Sequence, residues 1–254
     1  MKEKKMLHLN ISESQIGKYV FLPGSVERAE KIAGYFENPV KAAHHREFLT
    51  YTGTLSGVPV TVTSTGIGGP SAAIAVEELF ECGAHTMMRI GSCASTSPKV
   101  KRGDVVIPNG AVRMEGTGAH YLPLEFPAVP DFSMVKELET AAKKLEIPYN
   151  IGVTITKDSY YTEAAPETKP VYWDLKSKWD SYEKGGATNT SMECAALFLV
   201  AASLGIRVSS VMISATNYKE YSNDEKDYPH QWEDRAIRVG IEAMTEIIKK
   251  DLRV

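Results

Sequence analysis

Short β-branched runs alternate with helical patterns along most of this chain, and that alternation constrains its fold more than any other feature. Tyr19 to Leu22 is apolar and stops at Pro23-Gly24, the pattern of a buried strand ending in a tight turn. Val26 to Phe36 carries helical periodicity, and Pro59 to Thr63 alternates as a strand before the loop Gly66-Ile67-Gly68-Gly69. Pro70 suits the first turn of a helix over Ser71 to Cys82, and Gly83 suits its end. Thr86 to Ile90 and Val105 to Pro108 are two more short strands.

The alternation continues with an amphipathic helix over Asp131 to Leu145 and a strand over Asn150 to Thr156. A partly exposed helix is expected over Pro170 to Glu183, and a helix buried on most sides over Met192 to Leu204. Val208 to Ser214 is a β-branched strand, and Trp232 to Leu252 a terminal amphipathic helix. No repeat, charge block or Gly/Ser linker divides the pattern. One α/β domain over residues 1–254, with a mostly parallel core sheet, is the expected result. Ligands of such sheets sit beyond the carboxyl ends of the strands.

Composition excludes several classes. With 43% hydrophobic residues in 254, the chain can bury a core without disulfide or metal staples. A formal net charge of −3 gives no electrostatic reason to expect a nucleic acid polymer. Cys82, Cys93 and Cys194 are odd in number and widely spaced, the usage of reduced thiols in a cytoplasmic protein. Met1 to Met6 is charged with no apolar run behind it, so no secretory signal is expected. No stretch approaches the roughly 18 to 20 apolar residues that cross a bilayer, and no membrane partner is expected.

Five stretches hold residues able to do chemistry. In Pro23-Gly24-Ser25-Val26-Glu27-Arg28, a glycine turn opens a helix that carries an arginine. Close backbone approach, the helix start and Arg28 favour an anion, although an ordinary turn with a solvated arginine has the same pattern. In Arg89-Ile90-Gly91-Ser92, an arginine inside an apolar strand needs an anionic partner, from a ligand, an internal carboxylate or an interface. Cys93 beside it reads as packing rather than as a nucleophile. His44-His45-Arg46-Glu47-Phe48 lacks metal-ligand spacing and reads as a surface loop. The Gly66 to Gly69 loop matches the dinucleotide fingerprint only loosely. In Ser191-Met192-Glu193, a carboxylate leads an apolar helix, where it can serve the helix dipole or accept two hydrogen bonds from a vicinal diol. Thr216 and Asn217 suit a polar rim around a base, and Tyr160 and Tyr161 can stack on one or simply pack.

The stretches Pro23 to Arg28, His45 to Phe48, Ser64 to Ser71, Arg89 to Ser92, Leu124 to Val129 and Ser191 to Glu193 resemble, in that order, those of the uridine phosphorylases among the hexameric nucleoside phosphorylases. The resemblance runs from Leu7-His8-Leu9 to the terminal helix. It implies a three-layer α/β/α fold with a mixed, mostly parallel sheet. It also implies reversible phosphorolysis of a nucleoside, uridine first, to free base and ribose 1-phosphate. Inorganic phosphate is then the co-substrate and no other cofactor is required.

By the same resemblance, Gly24, Arg28, Arg89 and Ser92 match the phosphate site, and Arg46 an arginine lent by a neighbouring subunit. Glu193 matches the residue that holds the ribose hydroxyls, with Met192 packing on the sugar and His8 supplied by the neighbour to the 5′-hydroxyl. Arg28, Arg89 and Glu193 are the catalytic set. Tyr160 matches the aromatic beside the base. Glu47, Ile67 and Ser71 match positions that coordinate a monovalent cation such as K⁺ between subunits in some members. A homo-oligomer is implied, a hexamer of dimers that share active sites.

The sequence departs from the family at the base. Where a glutamine and an arginine usually face uracil, the nearest residues here are Glu163 and Thr168. An ionised Glu163 accepts from a ring N–H but repels a carbonyl oxygen. Ser191 replaces a usual glutamate, and the acidic residue of the purine enzymes is also missing in Ser214-Ala215-Thr216-Asn217. A shifted base preference, a nucleosidase that uses water, and a non-catalytic nucleoside-binding relative are the alternatives. The arginine set argues against the nucleosidase.

Overall fold

The computed structural model describes residues 3–217 and 230–253. Strand β1 (Tyr19–Pro23) is buried throughout and shows how the layers arise. Successive side chains of a strand point to opposite faces. Tyr19 and Phe21 enter one apolar core, while Val20 and Leu22 enter a second on the other side.

Helix α1 (Val26–Ala33) follows at once. Ser25 caps it, its hydroxyl accepting from the Arg28 backbone N–H at 3.2 Å. The helix ends at Ala33, with Gly34 as its cap, earlier than the periodicity suggested. β2 (Glu37–His45) and β3 (Phe48–Leu55) form a hairpin that the sequence reading did not expect. β2 is an almost wholly exposed edge with Glu37, Pro39 and Lys41, so it carries no apolar alternation to detect. Arg46 turns the hairpin with φ of +55°, so the expected loop shrinks to the tight turn Arg46-Glu47, while His44 and His45 belong to β2.

β4 (Val58–Thr63) leads into the glycine loop and α2 (Gly69–Glu81), which has proline in its first turn. β5 (Thr86–Ser95) and β6 (Val105–Met114) both run past their expected ends. Parallel pairing with β9 (Arg207–Asn217) continues along β5 to Ser95, with a bulge between Cys93 and Ala94. The remaining elements are α3 (Phe132–Lys144), β7 (Tyr149–Lys157), the single turn α4 (Tyr161–Ala164), α5 (Tyr172–Lys184), the short β8 (Asn189–Ser191), α6 (Cys194–Leu204) and α7 (His230–Asp251).

The described strands form one mixed sheet in the order β2-β3-β4-β1-β5-β8-β7-β6-β9, and β9 returns to pair with β5. Five of its pairings are parallel and four antiparallel. The expected mixed, mostly parallel α/β sheet is borne out. The β5–β9 pairing adds a ring closed through β6, β7 and β8, which local periodicity cannot encode.

Helices α1, α3 and α7 pack on the face that holds Phe21, Met88 and Ile90. Helices α2 and α6 cover the opposite face, with Val20, Leu22, Met87 and Phe198. This is the three-layer α/β/α arrangement. Arg89 and Gly91 share the parity of Met87, so they face the α2–α6 side. The site is assembled there.

Candidate active site

Arg89 is buried to 4% exposure near the middle of β5. Its Nη2 pairs with Glu193 Oε2, while its Nε and Nη1 are buried with no hydrogen-bond partner. Buried donors left unpaired are rare and destabilising by about 1–3 kcal/mol each. Here both belong to a permanent cation. The structure thus resolves the sequence ambiguity: Arg89 has an internal carboxylate partner and still offers two donor nitrogens to a further anion.

The backbone around Arg89 is shaped to leave room. A Cβ at Gly91 would lie 3.0 Å from Arg89 Nε, so the guanidinium folds across the bare glycine. A Cβ at Gly24 would fill the space between the Gly66 carbonyl oxygen, at 3.5 Å, and Arg89 Nη2, at 3.9 Å. Ser92 follows on β5, half-buried.

Glu193 sits immediately before α6. Its Oε1 accepts from the Gly68 N–H at 2.9 Å, and its Oε2 from the Met192 N–H at 3.3 Å. Gly68 has φ of +94°, a conformation that favours glycine, which lets the loop turn its amide toward the carboxylate. The glycine loop therefore serves the site by orienting Glu193, not as a dinucleotide motif.

Arg28 is also buried, and its Nη2 donates to Glu233 Oε1 at 2.8 Å. Lys31 donates to the other oxygen at 2.8 Å. Burial pushes the Glu233 carboxyl up, but the Lys31 hydrogen bond and the Arg28 charge outweigh it and hold it below the usual range. Glu233 was not foreseen, because it lies on α7, far from Arg28 in the chain.

Other expected residues lie at or near the surface. Arg46 is exposed at the hairpin turn, and His45 Nδ1 is 2.7 Å from the His8 carbonyl. His8 Nδ1 lies 2.6 Å from Glu78 Oε1, beside an open hollow of about 660 Å³. Ser71 Oγ donates to Glu47 Oε1 at 2.8 Å, and Ile67 is 76% exposed.

At the base end, Tyr160 and Tyr161 meet edge to face with ring centroids 5.3 Å apart, both exposed. Thr216 and Asn217 are half-buried at the end of β9. Thr168 is exposed, and its hydroxyl donates to the Ala165 carbonyl at 2.7 Å. Glu163 is buried and paired with Lys157, the last residue of β7. Lys157 was missed as a site residue. Its one signal in the sequence is a lysine closing a β-branched strand six residues before Glu163.

Burial raises the Cys93 and Cys194 thiols, which stay protonated and inert, as the packing reading expected for Cys93. Among the described residues, no helix is long and apolar enough to cross a membrane.

A buried arginine with spare donors, a fixed carboxylate and a glycine cradle thus lie together on one side of the sheet of an α/β protein. Comparison with known proteins sharpens this. The model of the phosphorylase superfamily matches residues 18–249. The chain is 42% identical over 244 residues to a uridine phosphorylase of Treponema pallidum (strain Nichols), covering 96% of this chain and 95% of that protein. It is 35% identical over 253 residues to the uridine phosphorylase of Escherichia coli (strain K12), covering 98% and 100%. A guanosine phosphorylase of Halorubrum lacusprofundi is 31% identical over 251 residues, covering 96% and 99%. The chain belongs to the phosphorylase superfamily, and the resemblance read from the sequence is borne out. It is an enzyme of the nucleoside phosphorylase type, a pentosyltransferase, for which inorganic phosphate is the co-substrate.

Proposed function

We propose that this chain catalyses reversible phosphorolysis of a pyrimidine ribonucleoside, uridine first, giving the free base and ribose 1-phosphate. The observation that carries the proposal is Arg89, whose Nε and Nη1 are buried without partners beside a Glu193 carboxylate already fixed by Gly68. Those two donor nitrogens suit two phosphate oxygens. Gly24 lies against the same guanidinium, Ser92 and Arg28 are the further phosphate contacts from β5 and α1, and Arg46 comes from a neighbouring subunit. Glu193 accepts hydrogen bonds from the ribose hydroxyls, with Met192 against the sugar and a neighbour's His8 at the 5′-hydroxyl. Tyr160, Tyr161, Glu163, Thr168, Thr216 and Asn217 surround the base.

In the reaction, a phosphate oxygen bonds to the anomeric carbon as the glycosidic C–N bond breaks. The bonding pair leaves with the base, which then takes a proton. Positioned arginines turn a bimolecular encounter into an oriented one. The bound phosphate also sets negative charge against the developing oxocarbenium, in a site shielded from water.

The chain works as one domain over residues 1–254 and as a homo-oligomer, a hexamer of dimers, because His8 and Arg46 act across a subunit boundary. The Glu47 carboxylate and Ser71 hydroxyl are hard oxygen donors already in contact, and Ile67 adds a backbone carbonyl. That set would hold K⁺ at the subunit interface. Three free cysteines support a cytoplasmic setting.

The test is base release from uridine, thymidine, cytidine, inosine, guanosine and adenosine, with and without phosphate. Phosphate-dependent release from uridine above all is the expected result. Equal release without phosphate would identify a nucleosidase, and no release from any nucleoside a binding protein. Guanosine in the panel tests the second reading, which rests on the guanosine phosphorylase among the relatives.

A further inference from the structure

Lys157 and Glu163 form an ion pair whose two side chains are 6% and 2% exposed. A buried pair is weak evidence for stability, because apolar residues of similar volume serve as well or better. Its position gives it another use. β8 runs parallel to β7 with Thr154 level with Asn189 and Thr156 level with Ser191. Lys157 follows Thr156 as the last residue of β7, and Glu193 lies two residues beyond Ser191, where β8 ends. Lys157 Nζ donates to Thr190 Oγ1 on β8 at 3.1 Å, and its charge interacts with that of Glu193. The ammonium also lies 5.9 Å from the ring centres of both Tyr160 and Trp179.

Both members of the pair line a cavity of about 160 Å³, walled by Met114, Tyr172, Leu175 and Trp179. Pockets for whole drug-sized ligands run to ~300–1,000 Å³. This one has room for a single flat ring, with apolar and aromatic contact from those four residues, and Glu167, Lys176 and Asp180 also line it. At its polar end a fixed donor stands beside a fixed acceptor. That is the complement of a cyclic amide edge, in which a carbonyl oxygen adjoins a ring N–H. Alone, Glu163 would repel the carbonyl; with Lys157 beside it, the repulsion becomes a hydrogen bond.

We propose that Lys157 and Glu163 together read the amide edge of the departing base, Lys157 donating to a carbonyl oxygen and Glu163 accepting from the adjacent ring N–H. The inference rests on the phosphorolysis reading and names how its base is chosen. Uracil presents this edge. Cytosine does not, since its ring nitrogen is an acceptor beside an amine. As the glycosidic bond breaks, the base gains negative charge, and the ammonium stabilises it. Lys157 thus contributes to the rate as well as to the choice.

The test measures kcat/KM for uridine, 3-methyluridine and cytidine in the wild type, Lys157→Met, Glu163→Gln and the double variant Lys157→Met/Glu163→Leu. The double variant leaves no orphaned charge, so it folds even where the single ones do not. Lys157→Met is expected to lower kcat/KM for uridine by about 10²–10³-fold, the usual effect of losing one donor to developing charge. The KM for phosphate should stay within about twofold. Glu163→Gln keeps a neutral acceptor but loses its charge, so it is expected to narrow the preference for uridine over 3-methyluridine, which lacks the ring N–H, by about fivefold, a charge-assisted hydrogen bond being roughly twice as strong as a neutral one. The double variant should keep its fold and lose uridine turnover. A folded double variant that retains the wild-type rate and preference overturns the inference, since the pair would then be only a structural staple. A wild type that releases no base from any nucleoside in phosphate overturns the phosphorolysis reading and this one with it.

Discussion

Arg89 on β5 and Glu193 at the start of α6 form an ion pair in which both side chains are 5% exposed, and the arginine keeps two donor nitrogens unused. The carboxylate holds the guanidinium in place without neutralising its capacity to bind. Removing either partner strands a buried charge, with a destabilisation of about 3–5 kcal/mol. Glu193→Ala should therefore melt well below the wild type in a calorimetric scan and lose phosphorolysis. Arg89→Lys should not rescue, because a point charge cannot keep Glu193 and offer two further directed donors.

Phosphate binding can be read without turnover. A ligand that binds only the folded state stabilises it by about 2.7 kcal/mol at a hundredfold excess over its Kd. Phosphate should raise the wild-type melting temperature, and Arg89→Met should show no such rise. An equal rise in both would remove Arg89 from the phosphate site.

Gly91→Ala tests the shape of the cradle rather than its charge. The new Cβ would sit 3.0 Å from Arg89 Nε, so the guanidinium must shift by a few tenths of an ångström. A near-wild-type melting temperature with a KM for phosphate raised about tenfold is expected, a small displacement in a positioned site being felt strongly. An unchanged KM would show that the arginine has slack.

The two ion-paired carboxylate regions respond to pH in opposite directions. The Glu233 carboxyl is held below its ordinary value of 4.5 by Lys31 and Arg28, so its contribution to stability is present above that value and is lost as pH falls through the lowered one. Glu233→Gln should flatten the acid limb of the stability curve. Burial pulls the Lys157 ammonium down to about 8, against the attraction of the Glu193 carboxylate. Glu163 pairs with it from α4, and Glu167, Lys176 and Asp180 also line the cavity. Activity on uridine should fall as pH rises through about 8. Lys157→Arg, charged throughout, should lose that limb; its persistence would assign the titration to another group.

The local devices of the site were legible in the sequence because they are local. The turn Pro23-Gly24-Ser25, the glycine loop before α2, an arginine among apolar residues of β5 and a carboxylate before α6 each depend on neighbours a few residues away. β2 was not legible, because an exposed edge strand has no buried face to alternate against, and its pairing with β3 alone makes it a strand. The closure of β5 through β9 was not legible for a similar reason, since the register that joins Ser95 to Asn217 is set by packing between distant segments.

Residue types and their order along the chain determined the α/β class and marked Arg89 and Glu193 among the candidate residues. Only the tertiary structure decided which carboxylate each cation meets. Arg28 went to Glu233 on the last helix, Arg89 to Glu193, and Lys157 to Glu163. Charge pairing in a buried site depends on distance in space and on exclusion of water. Neither is a property of spacing along the chain.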